Sequence, residues 1–512
     1  MSRTTRLLQG LAFGYANQVL VTLVGIWLTA FLLGELGQAD YGVWLVGTRI
    51  LGYLLLLDVG VVALLPREVA FATGRAGGVA PAADLPEIIG RTARIVMWQM
   101  PLVAIASLVV WLLLPAEWEP LRVPLAVVLS VFVLTFPARV FHAALSGLQD
   151  LAYLGGTYTV TWIVGTGMTV GLVLAGWGLY ALAVGWAVSQ GLSSAVWWVR
   201  LRRRFPTALP RRLPAFSGEP LRDRLGRGLW ISAAQVAQVL LQGTDLLIIG
   251  KLLGPTAVVP YFCTGKVLAV LANQPQLLAQ TAQPALSELR TSADRHRLHD
   301  VCVALTRAVL VVSGGVACVV LLVNEGFVAW WVGRAQYGGF WLTLALVAGM
   351  LLRHWNMTTI YSLFALGQDR RISITTLADG AVTVLASVFL TRAYGLLGAA
   401  LGTIVGVVVV GLPANLTLLA KETAASVSRL VLGLWPWAWR FALTAAAALA
   451  VSQAWVPKTL PALVAATLLC GAGYLGLMWP LALQEPLGRY VRPRLAALRR
   501  LVQRGAEGNG HG

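Results

Sequence analysis

The sequence predicts an all-α integral membrane protein, on three observations. The chain is 58% hydrophobic and only 12% charged over 512 residues, with a mean hydropathy of +0.76, outside the range of soluble globular domains. Apolar runs of roughly 17 to 25 residues, enough to cross a hydrocarbon core, recur along it. Finally, the first half of the chain repeats in the second at a near-constant shift.

About fourteen spans are expected, starting near residues 10, 41, 94, 121, 151, 178, 228, 259, 301, 339, 370, 394, 438 and 459. The first follows Arg3 and Arg6 and is too long for the apolar stretch of a signal peptide, so it is expected to remain in place. The sixth and seventh are separated by "RLRRRFPTALPRRLPAFSGEPLRDRLGRG", whose Pro and Arg content reads as a linker. The expected organisation is an N-terminal lobe over 1–200, a cytoplasmic linker over 201–227 and a C-terminal lobe over 228–422. Two further helices follow over 423–484, then a basic tail over 485–512 whose last residues are small and polar.

The repeat is read from four matches. "ANQV" at Ala16 pairs with "AAQV" at Ala233, "LGQADYGVW" at Leu36 with "LGPTAVVPY" at Leu253, and "GLYALAVG" at Gly178 with "GLLGAALG" at Gly395. The fourth pairs Gln149 and Asp150 with Gln368 and Asp369. Six spans separate equivalent points, so both halves begin on the same side and the repeat is expected to be parallel. Of the 39 lysines and arginines, most fall on the N-terminal side, and only Arg122, Lys251, Arg334, Arg392 and Lys458 on the other. Both termini are therefore expected in the cytoplasm.

This charge pattern excludes several function classes. The net charge of +18 lies in short segments between apolar spans, which reads as topology rather than as a nucleic-acid surface. The outer loops are short, the longest being about "NEGFVAWWVGRAQYG", so no outer catalytic domain fits there and no enzyme is expected. Cys263, Cys302, Cys318 and Cys470 stand in apolar contexts without metal or disulfide spacing and read as packing residues. Tryptophans near span ends, such as Trp44, Trp118, Trp330 and Trp331, read as an interfacial belt. No cofactor is expected, with coupling to a proton or sodium gradient left open.

Polar groups inside the spans are the candidate site. Arg49 lies within the second span, and the repeat carries it onto Lys266 in the eighth. A buried cation costs about 2.5 to 3.5 kcal/mol on insertion scales, so each either snorkels to an interface or serves an anion. Two related cations suit a diphosphate, and arginine adds a bidentate fork. Asn273, Gln276, Gln280 and Gln283 fall on one face of the eighth span after Lys266, and Gln235, Gln238, Gln242 and Asp245 line the seventh. Such amides suit a sugar or act as glue between helices. Pro275 is expected to kink the eighth span. Arg353 on the tenth is a third cation, and neighbouring His354 reads as a hydrogen-bonded structural residue. Asp58, Asp245 and Asp379 are candidate ion-coupling carboxylates or paired structural charges. Asp58 follows Arg49 by nine residues, half a helical turn out of phase, so the two do not pair. Asp150 and Asp369 are expected to cap helix starts.

Several of these segments together resemble the polysaccharide transporter and oligosaccharide flippase families of the multidrug/oligosaccharidyl-lipid/polysaccharide (MOP) exporter superfamily. The carriers are "LGQADYGVW", the "PREVA" ending the second span, "GLQD" before the fifth, "TDLLIIGKLLG" ending the seventh, and the paired "GLxGxxxG"-like sixth and twelfth spans. The resemblance implies two six-helix lobes forming a V around a central cavity. It also implies alternating access and outward movement of a polyprenyl-pyrophosphate-linked oligosaccharide in a bacterial cytoplasmic membrane, with lipids and a polysaccharide polymerase as partners. The family's cationic cavity residues carry over onto Arg49 and Lys266. The Arg- and Asp-rich opening of lipid II flippases is not evident in the first span. The competing reading is a cation-coupled multidrug extruder of the same superfamily, which would present acidic groups to its cargo.

Overall fold

A computed structural model describes residues 3–75, 84–210, 235–241, 243–283 and 295–485, with Ala233, Leu286, Ser287 and Gly488. Side chains are described from residue 17 onward, except those of 75, 281 and 482. The described residues form helices joined by short turns, with no strand among them. In chain order the main helices are α1 (Arg3–Leu54), α2 (Val61–Arg75), α3 (Leu85–Leu112), α4 (Arg122–Thr135), α5 (Arg139–Gly147), α6 (Leu151–Leu174) and α7 (Leu179–Arg204). Next come α8 (Thr244–Leu252), α9 (Val258–Leu271), α10 (Asn273–Thr281), α11 (Arg295–Trp331), α12 (Phe340–Ala365) and α13 (Asp369–Tyr394). The chain closes with α14 (Leu396–Gly406), α15 (Leu412–Glu422), α16 (Val427–Leu432), α17 (Trp435–Ala454) and α18 (Leu460–Leu483).

Ten helical stretches among the described residues are long and apolar enough to cross a membrane, where the sequence suggests about fourteen. The difference has physical reasons. The first two expected spans are the two arms of α1, continuous except at Gly37, whose backbone (φ 78°, ψ 171°) is not helical. The seventh falls partly outside the described residues. The tenth and thirteenth form helices, α12 and α17, but Arg353, His354 and Asn356 on one and Arg440, Ser452 and Gln453 on the other make them less apolar. The linker from residue 211 onward and nearly all of the basic tail lie outside the described residues.

Packing divides the chain into two compact units, Met1–Val259 and Pro260–Gly512. In the first unit the second arm of α1 meets α8 and the turn after it. A Cβ on Gly42 would strike the carbonyl oxygen of Pro255, and Gln38 Nε2 donates to Thr256 O at 2.8 Å. Only glycine lets two backbones approach this closely. The hairpin of α6 and α7 closes in the same way, with Gly185 against the Thr169 hydroxyl.

The second unit is built on α11, whose buried face packs against α12, α17 and α18 through Leu310, Cys318, Trp437, Tyr474 and Met478. Tyr474 Oη accepts from Trp437 Nε1 at 3.3 Å and donates to Val311 O at 2.8 Å. Buried Arg307 donates to the carbonyls of Gly433 (2.5 Å) and Glu485 (3.1 Å). One side chain thereby ties both ends of the α17–α18 pair to α11, a direct role for the last two helices.

The repeat is visible in the backbone. Gly37 and Gly254 share an extended left-handed conformation (φ 78°, ψ 171° and φ 89°, ψ 161°), and Gly178 and Gly395 are nearly identical (φ 55°, ψ −133° and φ 58°, ψ −136°). Gln149 and Gly367 both have positive φ. Contacts repeat too. Gly47 packs on Leu121, and at the same shift the Thr264 hydroxyl accepts from Gly338 N at 2.7 Å.

Two expectations are corrected. Trp118 (5% exposed) and Trp331 (9%) are core residues rather than belt residues: Gly250 leaves room for Trp118, and Trp331 packs on Phe327, with ring centroids 5.4 Å apart. Asp150 and Asp369 make no capping bond. Asp150 instead pairs with Arg200 at 2.8 Å and lies 3.8 Å from Arg204, since the arginine-rich end of α7 outcompetes backbone amides for the carboxylate. The four cysteines are free, three of them buried, as packing residues should be.

Candidate functional site

In the first unit the site is built on the second arm of α1. Arg49 and Tyr53 are four residues apart and share a helix face. Tyr53 Oη meets Thr244 Oγ1 at 2.5 Å, and Thr244 also donates to Leu240 O at 2.9 Å. The next residue, Asp245, opens α8 and lies within electrostatic reach of both Arg49 and Tyr53. Gly243 leaves space beside the arginine: a Cβ there would stand 3.8 Å from Arg49 Cδ. Arg49 is half-buried, and its Nε is a buried donor without a hydrogen-bond partner. Gln235 and Gln238, just upstream, are also half-buried, and Gln235 Oε1 is a buried acceptor without a partner. Gln242 lies outside the described residues. The cluster thus joins one cation, one carboxylate and two hydroxyls.

Asp58 stands apart from that cluster. The last turn of the arm, Leu55–Asp58, tightens to a 3-10 helix, and Asp58 is fully buried. Its Oδ2 lies 2.8 Å from Arg139 Nη2 and its Oδ1 accepts from Gly60 N at 2.8 Å. Gln99 Nε2 donates to its carbonyl at 3.1 Å. These bonds hold an elbow in which Val59, a β-branched residue, takes a left-handed φ of 51°. The sequence signals that Arg49 and Asp58 do not pair, and in the structure Asp58 has found Arg139.

In the second unit Lys266 is half-buried on α9, with Nζ 5.0 Å from the Phe262 ring centroid. The helix breaks at Ala272, three residues before Pro275. The proline lacks an N–H and its ring crowds the carbonyl of Leu271, four residues back, which is where α9 stops. Beyond the break Asn273 and Gln280 are exposed, while Gln276 and Gln283 are half-buried. Gln280 Nε2 donates to Tyr361 Oη at 2.8 Å, so this amide ties α10 to α12. On α12, His354 Nδ1 shares a 2.7 Å hydrogen bond with Ser313, and Asn356 Oδ1 accepts from Asn415 at 2.8 Å.

Arg353 and Asp379 were separate candidates, one for substrate and one for coupling. They are partners, with Nη1 and Oδ2 2.5 Å apart. Sequence reasoning missed Tyr53, Thr244 and Arg139. Tyr53 was open to discovery as the i+4 neighbour of Arg49. Thr244 and Arg139 were not, since long-range packing alone brings them in.

Long apolar helices that carry buried arginines and carboxylates define a multi-pass membrane protein with charges inside its spans. The fold is similar to those of two solved membrane transporters. One, of the lipid II flippase MurJ in an inward closed conformation, is 10% identical, covers 92% of this chain and 99% of its own, and has a TM-score of 0.66. The other, an inward-facing multidrug resistance MATE family transporter of the MOP superfamily, is 14% identical, covers 80% of this chain and 96% of its own, and has a TM-score of 0.54. The sequence profile of a family described as "Polysaccharide biosynthesis protein" matches residues 96–343, just under half of the chain. No curated protein matches it. The chain is thus a multi-pass membrane protein, and the profile supports the sequence resemblance to the polysaccharide transporters.

Proposed function

We propose that this protein is a flippase moving a polyprenyl-pyrophosphate-linked oligosaccharide from the cytoplasmic to the outer leaflet by alternating access, without covalent chemistry. The observation that carries this reading is Arg49, a half-buried cation in a membrane-spanning arm with an unused donor and hydroxyl-bearing neighbours. A pyrophosphate crossing about 30 Å of hydrocarbon needs compensating charge, and its sugars need amide and hydroxyl partners. Lys266, half-buried on α9, is a second candidate cation. The family profile over residues 96–343 and the MurJ-like fold support the reading. We place the chain in a bacterial cytoplasmic membrane with both termini inside, handing its product to a polysaccharide polymerase.

The drug-extruder reading requires an acidic site, and each candidate carboxylate here is near an arginine: Asp58 with Arg139, Asp379 with Arg353, and Asp245 within reach of Arg49. That balance favours an anionic cargo. The test is surface glycan in cells carrying Arg49→Ala or Lys266→Ala. Each is expected to abolish export at unchanged membrane level, and Arg49→Lys to restore only part of it because the planar fork is lost. Normal export in both alanine variants would reject the reading.

A further inference from the structure

Asp379 on α13 is fully buried, and the chain has built a shell around it. Its Oδ2 faces Arg353 Nη1 at 2.5 Å, and its Oδ1 accepts from the Thr383 hydroxyl at 3.2 Å. The same guanidinium donates from Nη2 to Thr383 Oγ1 at 2.9 Å and to the main-chain carbonyl of Thr403 at 3.1 Å. Three helices, α12, α13 and α14, therefore converge on one positive charge with a carboxylate, a hydroxyl and a carbonyl.

The remaining side is backbone held unusually close. A Cβ on Gly406 would stand 2.7 Å from Asp379 Oδ1, and one on Gly411 would stand 2.6 Å from Oδ2. Five residues apart, these glycines would point about 140° away from each other on a regular α-helix. Val407–Gly411 is wound as a π-helix, and its wider turn brings both against the same carboxylate. Such bulges occur often at functional sites, and this one would be hard to explain if the pair were only a chance surface contact.

Beside Gly411 the Asn356 amide nitrogen also approaches, but the groups that meet the guanidinium are a carboxylate, a hydroxyl and a carbonyl, oxygen donors with one negative charge of the kind hard cations take. We infer that the shell around Asp379 is a monovalent-cation site which the chain fills with its own Arg353 guanidinium, so that it ignores sodium while the arginine is present and binds sodium once the guanidinium is removed. The tethered charge saves the protein from a vacant buried carboxylate and makes α12, α13 and α14 one body in every state. This inference does not depend on what the chain transports.

The test is thermal unfolding of the purified full-length protein in sodium chloride and in choline chloride at equal ionic strength. The wild type is expected to melt at the same temperature in both. Arg353→Ala is expected to melt lower in choline and to rise by several degrees in sodium along a saturating curve, as a ligand bound only by the folded state requires. Arg353→Ala, Asp379→Asn is expected to fold, having lost both charges, and to be indifferent to sodium. Arg353→Ala melting alike in both salts would overturn the inference. So would its failure to fold when extracted in sodium while the double variant folds, because the vacated shell would then not accept the ion. A sodium-dependent wild type that loses that dependence on Asp379→Asn would overturn it as well.

Discussion

Arg139, Arg353 and Arg49 each face the same problem, a cation that the hydrocarbon does not solvate, and they solve it differently. Arg139 and Arg353 hold buried carboxylates at 2.8 and 2.5 Å, whereas Arg49 has Asp245 only within electrostatic reach. That difference separates architecture from candidate binding. Asp58→Asn is expected to strand Arg139 and lower stability by about 3 to 5 kcal/mol, the usual result of breaking a buried pair. Asp58→Asn, Arg139→Met is expected to recover most of it, as measured by thermal melting of the purified variants. An unshifted melting temperature in Asp58→Asn would show that the pair does not hold the elbow. At this scale the sequence revealed which residues were costly, because charges stand out against apolar runs. It did not reveal their partners. Asp58 and Arg139 are 81 positions apart, Arg353 and Asp379 lie on different helices, and helical periodicity speaks only within one helix.

Helix ends and close helix pairs follow from small local features. Pro275 stops α9 at Leu271, and glycines at 37, 178, 254 and 395 place turns that no Cβ would tolerate comfortably. The hairpin of α6 and α7 offers a clean contrast. Gly185 faces the Thr169 hydroxyl and the Gly165 carbonyl, while Gly171 on α6 has nothing within 4 Å. Gly185→Ala is expected to lower the melting temperature by forcing the helices apart, and Gly171→Ala to be neutral or to gain up to about 1 kcal/mol of helix propensity. Equal effects of the two changes, read in the same melting assay, would contradict close packing there. The repeat that predicts these turns was legible because it preserves glycines, which keep their backbone role when surrounding apolar residues drift. The break at Ala272 was legible for the same kind of reason, as proline acts locally. Trp118 and Trp331 were misplaced as belt residues, since a tryptophan near a span end has the same composition signal whether it faces lipid or the protein interior.

For the whole molecule, charge asymmetry in the sequence predicts orientation, the structure gives the fold, and the cargo is the proposal. The basic end of α7, Arg202 to Arg204, is exposed and is expected on the cytoplasmic surface, drawn to anionic lipid by about 1 kcal/mol per charge. Arg203→Cys in a Cys470→Ser background, which leaves only the three buried cysteines, is expected to resist impermeant maleimide in intact cells and to react after permeabilisation. Labelling in intact cells would invert the topology and the direction of transport with it. The central claim is that cations within the membrane carry an anionic lipid-linked glycan across. It is tested most directly in proteoliposomes, by following a polyprenyl-pyrophosphate oligosaccharide from the inner to the outer leaflet through its accessibility to an added glycosidase. The wild type is expected to speed this transfer well above protein-free vesicles, and Arg49→Ala, Lys266→Ala to return it to the protein-free rate while melting like the wild type. Transfer by the double variant at the wild-type rate, or none by the wild type, would contradict the claim.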